Sequence, residues 1–379
     1  MNNEIFIAKT FAGIEPFLKE ELENLGALEC ETVSRGVKFK GDLAMMYKIN
    51  YFSRLSSRVL WQVKTFHFHN NNDFYDAIFQ IPVERYLAGN GTLAVSATLH
   101  ESIFKTPLFA ALLTKDAICD RFRDRQGQRP SVDKDNPDVQ FHVHVHRDEA
   151  FLYLDSSGES LHKRGYRVAI PPAPINEVLA AAMLYISRWQ GEHDLIDFTC
   201  GSGTILIEGA MKALDIPAGY YRHKFGFFSW LNFDKIQWKK IIRSANIKQD
   251  VPVDFYGYDI SGRAIGMAEA NVKSARLQDF IQLRKKPLQQ TTPYRVPAYI
   301  ISNPPYGERL ENEDIRDFYR TIGDILKQQY AGCTAFIISS NIPALKAIGL
   351  HPSLKHTLYN GALECKLMKF DLYEGSMFG

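Results

Sequence analysis

No apolar run in this chain approaches the roughly 20 residues that a bilayer-spanning helix needs. The opening Met1-Asn2-Asn3-Glu4 lacks the charged start and long apolar stretch of a secretory leader. Cysteine is scarce: Cys30, Cys119, Cys200, Cys333 and Cys365 are odd in number, widely spaced and never in a C-x-x-C pair, which argues against a disulfide framework and against a zinc site. Neither sign of charge dominates. The formal net charge is +2, and residues 1 to 165 carry 20 Lys and Arg against 22 Asp and Glu, the remainder 25 against 21. A global positive field is therefore missing, and any nucleic-acid surface must be local. Repeats and low-complexity tracts are absent too. Together these absences predict a folded, cytoplasmic protein with no membrane segment and no metal.

What is present is enough chain, 379 residues with 45% hydrophobic content, for two or more domains. Ile5 to Lys9 reads as a strand, Glu15 to Leu25 as a helix stopping at Gly26, and Val37 to Asp42 as a second strand with a turn, followed by a helix through Tyr47. From there to about residue 165 the pattern stays mixed, with strands near Thr92 to Leu99 and Val139 to Val145 and helices near Phe74 to Ile78 and Leu108 to Phe122. This predicts an α+β region and not a parallel sheet. Within it, Arg121, Arg123, Arg125, Arg129 and Lys134, interrupted only by Asp124 and Asp133, form the best local basic cluster. His142, His144 and His146 fall on one strand face by period-2 alternation; without a convergent fourth ligand they read as a polar face and not as a metal site.

Pro171-Pro172-Ala173-Pro174 is the clearest linker, since clustered prolines continue neither helix nor ladder. A helix over Asn176 to Trp189 follows. Leu195 to Phe198 then reads as a strand entering the glycine-rich turn Thr199-Cys200-Gly201-Ser202-Gly203-Thr204 and a further helix, whose free N–H groups favour a carboxylate. Leu206 stands where a dinucleotide fingerprint needs its third glycine, so that reading fails. After a long insertion containing Phe225 to Trp230 and Trp238, the strand Phe255 to Tyr258 ends at Asp259, suited to gripping ribose hydroxyls. The strand Ala298 to Ser302 ends at Asn303-Pro304-Pro305-Tyr306, followed by Gly307-Glu308-Arg309.

That last stretch carries the most chemistry. An exocyclic base amine is a poor nucleophile because its lone pair is delocalised into the ring. The side-chain oxygen of Asn303 and the carbonyl of Pro304 can each accept a hydrogen bond from it, favouring a tetrahedral nitrogen and absorbing positive charge. Pro304 and Pro305 lock the carbonyl direction. Tyr306 can stack on a flipped base, worth about 1 to 3 kcal/mol. Glycine-rich loop, acid, then Asn-Pro-Pro-Tyr, each at a strand end, implies a doubly wound, S-adenosylmethionine-dependent methyltransferase.

On these motifs the chain resembles the THUMP-domain RNA methyltransferases, in particular the bacterial 23S ribosomal RNA guanine-N2 methyltransferases. The resemblance extends through Arg129 to Asp135, Asp155 to Arg167, Ala173 to Glu177, Leu179 to Ala182 and Ser302 to Leu310. It implies an α/β chain: a ferredoxin-like segment over 1–50, a THUMP RNA-binding domain over 51–165 and a class I (Rossmann-like) methyltransferase domain over 166–379. It further implies that Asp197, Thr199, Cys200, Gly201, Ser202, Gly203 and Thr204 form the cofactor loop, that Asp259 holds the ribose and that Asn303 to Tyr306 hold a guanine amine.

Three departures stand out. Phe198 replaces the proline usual after the first Asp; Arg284-Lys285-Lys286-Pro287 lacks the carboxylate that relatives place against the adenine; and a second, fused methyltransferase domain found in some relatives is not expected before Gly379. The leading expectation is N2-methylation of a guanosine in 23S ribosomal RNA. Alternatives are the same chemistry on transfer RNA, N6-adenine methylation of DNA, and a non-catalytic RNA-binding or assembly protein.

Overall fold

The computed structural model describes residues 3–171, 174–307 and 312–374. Pro172 and Ala173 of the proline cluster, Glu308 to Leu310 beyond the Asn-Pro-Pro-Tyr stretch, and Gly379 lie outside the described residues.

The first half builds one sheet. In chain order its elements are β1 (Glu4–Lys9), α1 (Glu15–Asn24), β2 (Leu28–Val33), β3 (Gly36–Gly41), α2 (Leu43–Phe52), β4 (Arg58–His67), α3 (Asn71–Phe79), β5 (Thr92–His100), α4 (Pro107–Gln126), β6 (Ser131–Val132), β7 (Val139–His146) and β8 (Glu149–Asp155). Local sequence sets the helix ends. Asp42, Asn70 and Thr106 cap α2, α3 and α4 by accepting backbone N–H bonds, while Gly127 closes α4 in the left-handed region at φ 65. The eight strands lie in the order β2-β3-β1-β4-β8-β7-β5-β6. Phe6, Phe39, Trp61, Phe141, Val143, Leu152 and Leu154 fill the buried face. On the other face His142 and His144 sit opposite Tyr153 and Phe151.

β2, β4 and β8 were not anticipated from sequence. β4 carries a bulge between Gln62 and Lys64 that breaks its alternation, and it joins the β1 side of the sheet to the β8 side. The expected ferredoxin-like and THUMP segments therefore share one continuous sheet.

The second half is a doubly wound domain: α5 (Glu177–Ile186), β9 (Asp194–Asp197), α6 (Thr204–Ala213), α7 (Lys235–Arg243), β10 (Phe255–Asp259), α8 (Gly262–Ser274), β11 (Ile281–Lys285), β12 (Ala298–Ser302), α9 (Asn312–Gln329), β13 (Thr334–Ser339), α10 (Ile342–Ala347), β14 (Leu354–Asn360) and β15 (Leu363–Asp371). The order is β11-β10-β9-β12-β13-β15-β14, parallel except where β15 joins antiparallel to β13 and β14. The order reverses between β9 and β12, and the loops leaving their carboxyl ends part there to open a crevice. No helix among the described residues is long and apolar enough to cross a membrane.

One apolar cluster runs through both halves, from Phe6 and Trp61 through Phe227 and Trp238 to Leu195 and Leu206. The aromatic insertion carries it across. Phe227 packs on Tyr47 of α2 with ring centroids 4.5 Å apart, and Trp230 lies 6.1 Å from Trp61. A buried polar joint accompanies it. Arg54 Nη2 donates to the carbonyls of Met211 and Ile216, and Arg164 donates to the Arg54 carbonyl and, at 3.4 Å, to Glu208 Oε1, which also accepts from the Tyr166 hydroxyl.

Arg164 and Glu208 are almost fully buried, at 1% and 0% exposure. Removing one member strands the other charge out of water, a loss of about 3 to 5 kcal/mol. Glu208→Ala should therefore shift the denaturant midpoint far more than Tyr166→Phe, which forfeits one hydrogen bond worth about 1 kcal/mol. Equal midpoints for the two variants in a urea titration would contradict this assignment.

Candidate active site

Strand β9 is entirely buried between β10 and β12 and delivers Asp197 to the crevice. Asp197 Oδ1 accepts from the Thr199 amide at 3.2 Å and from Ser302 Oγ at 2.5 Å, and Ser302 Oγ also meets Thr199 Oγ1 at 2.6 Å. Burial is the largest influence on this carboxyl and pushes it up to about 7, against the opposing pull of those hydrogen bonds. The turn that follows is tight: the Cys200 amide donates to the Tyr258 carbonyl, and the Gly203 amide to the Cys200 carbonyl. Gly201 and Gly203 take φ 53 and 80, where a side chain would be strained. Gly203 caps α6 without a side-chain bond, leaving first-turn N–H groups for a ligand.

Asp259 ends β10 as expected. Its Oδ2 accepts from the Gly201 amide at 3.1 Å and its Oδ1 from the Ser261 amide at 2.8 Å, which fixes the carboxylate while leaving lone pairs for hydroxyl groups. At the end of β12, Tyr306 donates its phenolic proton to Asn303 Oδ1 at 2.6 Å. The Pro305 carbonyl accepts from Tyr319, and the Tyr306 carbonyl from Asn341 Nδ2. Among the described residues the Pro304 carbonyl takes no hydrogen bond.

Asp197, Thr199, Cys200, Gly201, Ser202, Thr204, Asp259, Asn303, Pro304, Pro305 and Tyr306 all line one cavity of about 620 Å³. Gly203 acts from behind, as the helix cap. Ile260, Leu288, Gln289 and Phe318 also line the cavity and were missed in the sequence, as were Asn360 and Leu363 from the β14–β15 hairpin. The apolar group offers a slot for an adenine ring where the sequence lacked a carboxylate. A Cβ built on Gly201 would meet nothing within 4 Å, so the glycine opens onto free space. Loop N–H groups and hydroxyls, a carboxylate and an apolar slot fit the amino acid, ribose and adenine of S-adenosylmethionine.

A family model described as the RMKL-like methyltransferase domain matches residues 164–369, and models of the THUMP domain and the RlmL ferredoxin-like domain match 68–155 and 5–60. The chain belongs to the RMKL-like methyltransferase family. It is 38% identical over 387 residues to the ribosomal RNA large subunit methyltransferase K/L of Syntrophotalea carbinolica, covering 99% of this chain and 54% of that protein. The chain thus spans about half the length of such relatives. A Synechocystis protein named provisionally as an RNA methyltransferase is 37% identical, with 97% of each chain covered. Among solved structures, SMU.472, provisionally named a methyltransferase and crystallised with SAH, superposes with a TM-score of 0.88 at 28% identity, over 99% of this chain and 100% of that one. S-Adenosylmethionine is the cofactor of this RMKL-like fold.

The basic cluster needs correction. Arg121, Arg123 and Arg125 lie on the last turns of α4, which runs beyond the expected end at Phe122. Arg121 is buried: its Nε and Nη2 grip Glu84 at 2.8 and 2.6 Å and its Nη1 donates to the Phe79 carbonyl, so it has no free face for RNA. Arg123 pairs with Asp120 and Arg125 with Asp124, both exposed, while Arg129 and Lys134 are exposed. The three histidines do share a face, where His142 and His144 bond to Ser96 and Thr98. Among the described residues no group of three or more His, Cys, Asp or Glu is arranged to hold a metal.

The raised Asp197 carboxyl sets a pH dependence. The folded protein holds this proton more tightly than the unfolded chain, so stability falls as pH rises from about 4, where the unfolded group titrates, to about 7, where the folded one does. Asp197→Asn should remove that slope. In cofactor-free thermal melts the variant gains on the wild type between pH 5 and 7, with the gap constant above about pH 8; parallel curves would refute the burial of a titrating group here.

Proposed function

We propose that the chain transfers the methyl group of S-adenosylmethionine to the exocyclic N2 amine of a guanosine in 23S ribosomal RNA. The carrying observation is that Asn303 and Pro304 line one cavity together with the glycine-rich loop; in this reading Asn303 Oδ1 and the Pro304 carbonyl serve as the two acceptors for the amine. The names of the K/L relatives support ribosomal RNA as substrate, and the matched THUMP model supports an RNA-holding N-terminal unit. In this reading residues 1–50 and 51–165 hold RNA, and 166–379 carry the chemistry.

The cofactor supplies an electrophilic methyl group on a sulfonium centre. The chain's own residues do the rest. Asp197, Thr199, Cys200 and Gly201 to Thr204 hold the amino acid end, and Asp259 takes the ribose hydroxyls. Asn303 and Pro304 draw the amine out of conjugation, Pro305 stiffens the turn and Tyr306 meets the base. Arg123, Arg125, Arg129 and Lys134 remain as phosphate contacts, without Arg121.

Asn303→Ala should lower methyl transfer by about 10²-fold or more while cofactor affinity stays nearly unchanged; a fully active variant would remove Asn303 from the mechanism. The substrate is read by nucleoside analysis after incubation with labelled S-adenosylmethionine. N2-methylguanosine in 23S RNA is expected, whereas label in transfer RNA or as N6-methyladenosine would replace this reading. Reversing Arg129 and Lys134 to Glu should weaken RNA binding and flatten its salt dependence by about one unit per lost phosphate contact. An unchanged slope would return these side chains to solvent.

A further inference from the structure

The linker between the two halves reaches the cofactor loop from behind. Arg167, 11% exposed, donates from Nε to Glu177 Oε1 at 2.7 Å and from Nη2 to the Ile175 carbonyl at 3.2 Å. The same guanidinium donates to Thr204 Oγ1 at 2.9 Å and to Ser202 Oγ at 3.1 Å. The next two residues continue the contact. The amides of Val168 and Ala169 both donate to Asn271 Oδ1, and Asn271 Nδ2 donates back to the Ala169 carbonyl and to the Ser202 carbonyl at 3.1 Å. Ser202 is thus held at its hydroxyl by the linker and at its carbonyl by α8.

Those contacts matter because of what the loop is made of. Ser202 stands between Gly201 and Gly203, both at positive φ, so its own backbone does little to fix it. A guanidinium only donates, so both hydroxyl oxygens accept from Arg167 and keep their own protons; the two oxygens lie 3.4 Å apart, so one hydroxyl can donate to the other while the second proton is left to donate into the cavity. Ser202 and Thr204 line the cavity at the start of α6, where a carboxylate is favoured, and Arg167 does not line it.

We propose that Arg167 is a positioning residue for cofactor binding: it presets the Ser202 and Thr204 hydroxyls as donors and fixes the loop before the cofactor arrives. Glu177 serves a different end, neutralising the buried guanidinium. The proposal rests on the loop's holding S-adenosylmethionine and is independent of which base is methylated.

The test uses the full chain, with SAH as probe in calorimetry. Arg167→Gln should raise the Kd for SAH by about tenfold or more and speed amide hydrogen exchange of residues 200 to 204 in the cofactor-free protein. Turnover at saturating cofactor should hold within about threefold, so the change falls on KM. Glu177→Gln, which leaves both hydroxyl contacts, should lower Tm yet keep Kd within about twofold. Arg167→Lys keeps the charge beside Glu177 but not the planar fork that spans two hydroxyls. It should reproduce the weakened binding with a smaller loss of Tm, which keeps the test open if Arg167→Gln fails to fold. Wild-type affinity in Arg167→Lys, or Kd rising in step with lost Tm across all three variants, would overturn the proposal. Failure of the wild-type protein to bind SAH would overturn the cofactor reading along with it.

Discussion

The site depends on a hydrogen bond between two strand ends. Asp197 and Ser302 lie 105 residues apart, yet β9 and β12 pair in parallel and the Ser302 hydroxyl donates to the Asp197 carboxylate just beyond the ladder. At a point where strand order reverses, the departing loops diverge by construction, and a bond across the gap limits how far. It sets the distance between the glycine-rich loop and Asn303, hence between the expected donor and acceptor of the methyl group. The cost appears on the same residue. Burying Asp197 lifts its carboxyl toward neutrality, so the junction is held by a group the fold would rather keep protonated.

The junction between the halves is made differently, from aromatic surface and buried charge. The rings of Phe225, Phe227 and Trp238 pack with one another, and Phe227 and Trp238 pack against Tyr47, extending the apolar core across the boundary. Beside them Arg54, Arg164 and Glu208 meet away from water. Such clusters add little net stability over an apolar replacement, but they tolerate few arrangements, because any shift leaves a charge unpaired. Arg164 bonds to the carbonyl of Arg54 in one half and to Glu208 of α6 in the other, while Glu21 of α1 accepts from Tyr185 of α5. Apolar packing supplies adhesion, and the polar joint supplies register between the two halves.

Much of the catalytic half was legible because its signals are local. A glycine pair needs left-handed backbone wherever it occurs, two prolines stiffen any turn, and an acid ending an apolar run sits at a strand's carboxyl end. The Thr199 to Thr204 loop, Asp259 and Asn303 to Tyr306 were found this way, Asp197 was added by the family resemblance, and all of them line or cap one cavity. What escaped was non-local. Arg121 looks like its basic neighbours until Glu84, 37 residues earlier, folds against it. β4 hides behind a bulge that breaks its alternation. Leu288 and Phe318 look like ordinary core residues, and only the crevice turns them toward a ligand. Arg167 belonged to a stretch recognised by resemblance, yet nothing in its spacing indicates Ser202 and Thr204 as partners.

Tyr306, the residue proposed to meet the base, has neighbours of its own in the folded chain. Its ring is half-buried, packed at the edge of the core, and its phenol bonds to Asn303. A carboxamide helps an amine only if it offers oxygen; turned over, it offers hydrogen to hydrogen, and the two orientations have nearly the same shape. A phenol alone does not choose between them, since it can donate to the oxygen or accept from the nitrogen. In the folded chain the carboxamide turns its Oδ1 to the phenol, which donates to it at 2.6 Å. Cys365 Sγ, on β15, lies 3.8 Å from the phenol oxygen, with the Leu363 carbonyl as a nearer acceptor for its thiol at 3.6 Å. Burial raises the Tyr306 phenol, keeping its proton in place. One lone pair of the Asn303 oxygen remains free for the amine, so the bond orients the acceptor without using it up.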